Sequence, residues 1–339
     1  MKLSNGELPL LDVSVAAKPM TSSSPPFSAS IFPVNHPLLF ITCLAVLLAA
    51  CSSPAQTAAP PSPSPIEFVD AWGTHGDGPG QLNTPVAMAG DGESNIYIAD
   101  AGSGYIHKFS VSGEARLSFQ DDRANLHPVD IAVDAGAAIY VADAHLGTVV
   151  VYFSDGMHHR ELRVGSLTGA RESLRIGVDA FGTIFVTAKR PYGVRKFNTA
   201  LRPAGSWGGA AARQASVDNP SALAVGPDTL VYINDSGRSQ ITAYDSRGTI
   251  QHIFSLAADA GGPALDGIAV SAKYVFAVDT RRPTVYIWTL DGTFRLGEDL
   301  SAWIPGSSVT PRKLVVTPAG ELLVLDAAAS RVFRFRLHL

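Results

Sequence analysis

Four groups of side chains have types and spacings that could carry chemistry. His75, His127 and His145 are three imidazoles, enough to hold a zinc ion and leave one coordination position open. Lys189, Arg190, Arg238, Arg281, Arg282 and Arg312 form a cationic set, joined by Arg331 and, ahead of apolar runs, by Arg123, Arg171, Arg213 and Lys313. Guanidinium forks in such a set grip carboxylates or phosphates. Asp100, Asp143, Asp235, Asp279 and Asp326 each close an apolar run, with Thr187 at the matching place in a sixth. Carboxylates can bind metals or move protons, but a residue recurring at one place in nearly every unit answers a structural demand: it accepts backbone N–H groups in the turn that follows, as the Thr187 hydroxyl also can. The last group is a single thiol, Cys51, at the end of an apolar stretch.

Composition bounds what these groups can be part of. In 339 residues there are 26 Lys and Arg against 30 Asp and Glu, a net charge of −4, so no global attraction to nucleic acid is expected. With 46% apolar residues the chain can bury a core, and bulk disorder is excluded. Cys43 and Cys51 are its only cysteines, so nothing after them can form a disulfide or a thiolate metal site.

The stretch Leu38–Ala50 runs thirteen residues without a charge, too short for a membrane-spanning helix, which needs about 20, and reads as the apolar region of an export signal. Its end, Leu48-Ala49-Ala50-Cys51, resembles the bacterial lipobox, which implies cleavage before Cys51 and acylation of its thiol. The 37 residues before Leu38 hold only Lys2 and Lys18 as cations, unlike a compact basic leader, so the natural start is expected to lie further downstream. Residues 1–50 are therefore read as a signal region and 51–65, rich in Pro, Ser and Ala, as a tether. The expected location is the cell envelope, with the membrane engaged through the lipid alone.

From residue 66 to 339 the chain repeats. Each unit is an apolar strand, a short turn, a second apolar strand closing on Asp, a polar loop and further strands; examples are Pro85-VAMAGDGESNIYIAD and Pro128-VDIAVDAGAAIYVAD. The closing residues step by 43, 44, 48, 44 and 47 positions, giving six units. Continuous apolar runs such as Ile139-Tyr140-Val141-Ala142 suit strands buried between stacked sheets, and Asp134-Ala135-Gly136, Asp155-Gly156 and Asp291-Gly292 offer turn residues that tolerate positive φ. A four-stranded sheet with two apolar faces cannot bury both alone. Six arranged radially can, and the all-β six-bladed propeller of antiparallel four-stranded blades is the predicted fold. Ile66–Trp72 matches an outer strand and Arg331–Leu339 a third strand, so the two ends are predicted to share one blade and close the ring.

The segment from Phe68 to Pro85, with Trp72-Gly73 and Gly78-Pro79-Gly80-Gln81-Leu82, followed by Ile96-Tyr97-Ile98-Ala99-Asp100, resembles the NHL repeat, and the later units keep a thinner version of it. No unit has the paired Gly-His and Trp-Asp of WD40 repeats. The resemblance implies the propeller but leaves function open, because NHL propellers include RNA-binding, protein-binding, sensor and lyase members. Zinc-binding histidines on the variable face of amidating lyases of similar fold would correspond to His75, His127 and His145, although no lyase motif surrounds them. No nucleophile elbow, phosphate loop or dinucleotide fingerprint is present. The sequence thus favours a non-catalytic scaffold without cofactor, binding an envelope protein or an anionic ligand on a basic loop face, with a metal-dependent lyase or hydrolase as its rival. Trp72 and Trp207 are expected to pack between blades, while Trp288 and Trp303 are open between core and surface.

Overall fold

The computed structural model describes residues 64–121, 126–164, 174–187, 193–209, 216–256, 264–302 and 309–339. Cys51, Arg123, Arg171, Lys189, Arg190, Arg213 and Trp303 lie outside these residues. The strands form six four-stranded antiparallel sheets, one per repeat. The innermost strands are β2 (Pro85–Gly90), β6 (Pro128–Val133), β10 (Arg175–Val178), β14 (Pro220–Val225), β18 (Leu265–Val270) and β22 (Pro311–Val316). Each packs beside the next, and β22 returns to β2, so they ring a central channel. Beside them run β3 (Ile96–Asp100), β7 (Ile139–Asp143), β11 (Ile184–Thr187), β15 (Val231–Asp235), β19 (Tyr274–Asp279) and β23 (Glu321–Asp326), which end at the residues named from the sequence.

The core lies between blades. One cluster joins Tyr140, Val149 and Val151 of the second blade to Ile176, Ile184 and Val186 of the third. Each such side chain contributes about 1.5–3 kcal/mol by leaving water. Outer-strand tryptophans bridge the same seams: Trp72 lies 5.0 Å from the ring of Phe109, and Trp207 lies 4.6 Å from that of Tyr244, in each case against the following blade. Both press on a turn glycine with positive φ, Gly113 (84°) and Gly248 (86°), where a Cβ would collide with the indole. Trp288 is fully buried, which resolves its place as core.

The ring closes as expected. β1 (Ile66–Trp72) pairs with β24 (Arg331–Leu337) as the outer strand of the last blade, in the order β1-β24-β23-β22. Arg334 donates to both carboxylate oxygens of Asp70, at 3.0 and 2.6 Å, and so clamps the two termini together.

The two ends of the channel differ. At the turn-bearing end the Tyr97, Tyr140 and Tyr232 hydroxyls donate to Asp91, Asp134 and Asp228, and burial raises the pKa of each phenol. In these turns the positive φ falls on Ser94, Ala137 and Thr229; it does not fall on Gly136, the residue the sequence offered for it, whereas Gly156 and Gly292 do adopt it. The carboxylate hydrogen bonds of Asp134 to Gly136 N and Ala138 N hold the chain in that strained path. Pro65, where the chain enters the ring, sits at this end, its carbonyl accepting from His338 N.

Candidate functional site at the loop-bearing mouth

The opposite, loop-bearing end is organised by the strand-ending aspartates. Asp100 accepts from Asn83 N (2.7 Å) and Thr84 N (3.1 Å) of the entering loop and from Gly102 N and Ser103 N (both 2.9 Å) of the leaving loop. Asp143 accepts from His127 N and Leu146 N. Asp235, Asp279 and Asp326 repeat the pattern in their blades. These carboxylates are engaged by backbone amides on two loops at once, which is a structural role. Thr187 differs from the expectation: its hydroxyl donates to Gly193 O at 2.9 Å and closes its loop in the opposite sense.

The residue after Pro85, Pro128, Leu174, Pro220, Leu265 and Pro311, which correspond across the six repeats, gives the series Val86, Val129, Arg175, Ser221, Asp266 and Arg312. In β2, β6, β14, β18 and β22 the pairing register slips at this residue. Such a bulge re-aims the side chain. Val86, Val129, Arg175 and Arg312, with His127, His145, Ala101, Ala144 and Pro128, line a cavity of about 560 Å³ at this mouth. The His127 and His145 rings stand 5.5 Å apart. Arg175 is held in place by donating through Nε to Ser221 O at 2.6 Å, and Arg312 lies 3.7 Å from Asp266.

The next residues along the inner strands include Asp130 and Lys313, both buried and 3.5 Å apart. They belong to the second and sixth blades, which do not adjoin, so the pair crosses the channel. Asp130 also accepts from Ile176 N of the third blade at 3.0 Å. Beyond this bar lies a second, mostly apolar cavity of about 810 Å³ lined by Met88, Ile131, Leu223, Ile268 and Leu314. Residues 129, 130 and 131 therefore line the mouth, carry the bar and line the inner chamber in turn, as do 312, 313 and 314.

The structure sorts the residues singled out from the sequence. His127, His145 and Arg312 come together in the mouth cavity; His75 is elsewhere, its Nδ1 3.3 Å from Ser330 Oγ. Among the described residues no three His, Cys, Asp or Glu side chains are grouped to hold a metal. Arg238 is tied to Asp218 at 3.2 Å, bracing the loop ahead of β14. Arg281 and Arg282 are exposed on the loop after β19. Arg312 and Lys313 do not lie on an entering loop as expected but within β22, because that strand begins at Pro311. Arg175 was missed, although comparison of this one position across the repeats exposes it.

No family model matches the chain. A stretch of 122 residues is 30% identical to the E3 ubiquitin-protein ligase TRIM32 of Homo sapiens, covering 31% of this chain and 19% of that protein; the chain thus spans about a fifth of that relative. Among solved structures, a streptogramin B lyase has 11% identity and a TM-score of 0.57 over 80% of this chain and 98% of its own. Virginiamycin B lyase from Staphylococcus aureus has 10% identity and a TM-score of 0.57, over 80% and 99%. The β-propeller domain of Cps50 (Swd1) from Myceliophteria thermophila has 10% and 0.57, over 80% and 100%. Likeness at such identities establishes the fold alone, and these proteins of different roles agree with the strand pairing: the chain is a β-propeller, with six blades.

Proposed function

We propose that this chain is a non-catalytic binding module of the NHL-repeat type that takes an envelope protein or an anionic ligand at its loop-bearing end. The observation that carries this reading is the convergence there of Arg175, Arg312, His127 and His145 on one cavity, beside loops whose exposed arginines include Arg281 and Arg282. Pockets of a few hundred Å³ with a few convergent polar groups are the usual form of ligand sites. Pro65, where the described chain enters the ring, is at the other end. The lipobox-like Leu48–Cys51 supports attachment of the mature protein to a membrane through acylated Cys51. Incorporation of labelled fatty acid, lost in Cys51→Ser, is the expected result for that part of the reading.

The rival reading, a metal-dependent lyase or hydrolase at the channel mouth, draws on the adjacency of His127 and His145. Metal analysis of the full chain purified without chelator separates the two. Stoichiometric zinc that disappears in His127→Ala and His145→Ala would favour the enzyme; the binding-module reading expects no stoichiometric metal.

A further inference from the structure

We infer that the mouth cavity is a blind pocket for a small ligand bearing a carboxylate or phosphate group, its oxyanion held between Arg175 and Arg312. This deepens the binding-module reading and rests on it. The sequence pointed to exposed loop arginines as the anion-recognising surface. The geometry points instead to inner-strand residues, because side chains fixed by strands and bulges hold a small group more rigidly than loop side chains do.

Three observations carry the inference. First, two guanidiniums and two imidazoles line a single cavity of about 560 Å³, a volume suited to a small molecule and too small for a folded domain. Arg175 donates through Nε to Ser221 O and through Nη1 to Leu174 O at 2.9 Å, so it is oriented before any ligand arrives. Second, the floor is charged. Lys313, one-tenth exposed, lies in the Lys313–Asp130 bar between this cavity and the apolar chamber, so an anion meets a buried cation beneath it and has no apolar path onward. Third, the neighbouring carboxylates are engaged. Asp266 faces Arg312, Asp130 faces Lys313 and Ile176 N, and Asp100 and Asp143 accept backbone amides. His127 and His145, from the loops on either side of the second blade's first two strands, add ring nitrogens on one wall.

Isothermal titration of the full chain with citrate and with inorganic phosphate tests this, the two probes separating a carboxylate ligand from a phosphate one. Binding of at least one is expected, weakening with added salt. Arg175→Gln and Arg312→Gln should each weaken it about tenfold or more, as for loss of a charge-assisted hydrogen bond, while Arg247→Gln, exposed on a turn at the other end of the ring, leaves it unchanged. Because Arg175 also braces Ser221, Arg175→Lys and the melting temperature of each variant are measured alongside; a folded Arg312→Gln that has lost binding suffices. Binding of neither probe, or binding unaffected in both folded variants, overturns the inference. If small anions fail but a protein or polysaccharide from envelope extract is still captured and released by charge reversal at Arg281 and Arg282, the pocket is wrong and the binding-module reading stands. If that capture is absent as well, both fall.

Discussion

Burial decides what His107 can do. It is fully buried in the first blade, its Nδ1 lies 2.8 Å from Ser118 Oγ, and burial lowers its pKa from 6.5 to about 4 against the opposing pull of Asp100. The unfolded chain takes up its proton first as pH falls, so stability is full above about pH 6.5, is lost between pH 6.5 and 4, and levels off below. Across that window the loss is roughly 3 kcal/mol at about 1.4 kcal/mol per pKa unit. Thermal melts of the full chain should show this slope, and His107→Leu should flatten it; equal slopes in both proteins would mean that another group is responsible. The strand-ending aspartates give a second test. Asp100→Ala removes four amide contacts and should destabilise by about 2–4 kcal/mol in urea melts, whereas Arg282→Gln should change stability by less than about 0.5 kcal/mol. The role of these aspartates was legible because it recurs at a fixed place in five repeats. Arg175 was harder to read, because the matching position holds Val, Ser, Asp or Arg in the other repeats and so has no recurring residue type; only a comparison of that one position across the repeats exposes it.

Strands and their pairings set the next level. The Lys313–Asp130 bar couples the second and sixth blades across the channel, and removing one partner leaves the other charge buried. Lys313→Met should cost about 3–5 kcal/mol, and pairing it with Asp130→Asn, which can still accept from Ile176 N, should recover much of that loss. Additive losses in the double-mutant cycle would show that the two side chains do not interact. Closure rests on β24, the strand that joins β1 to the rest of the last blade. Deleting Val332–Leu339 frees two edges and should abolish cooperative unfolding; a truncated chain that still melts in one sharp transition would contradict the ring. The repeat made both the blades and the shared terminal blade readable, since alternation and turn residues are local signals. The bulges that turn residue 312 to the mouth and let 313 cross the channel were not readable, because a one-residue register slip leaves no local signal in composition.

For the molecule as a whole, the sequence disclosed a repeat and a net charge but not how charge is distributed along a channel. The ring has one mouth built from loops anchored by aspartates, with a cationic cavity, and one built from tight turns clamped by tyrosines, with an apolar chamber behind it. A net charge of −4 hides this difference, because the carboxylates at the loop-bearing end are engaged by amides and cations. Binding at the loop-bearing mouth is the central claim, and comparing the two ends in one protein tests it most directly. The full chain and two variants, Arg281→Glu with Arg282→Glu at the loop-bearing end and Lys273→Glu at the turn-bearing end, are compared for ligand capture from envelope extract across a salt series. Capture should fall at least about tenfold in the first variant, with a shallower salt dependence, and stay unchanged in the second. Capture that survives in the first variant and is lost in the second would place binding at the other end of the ring.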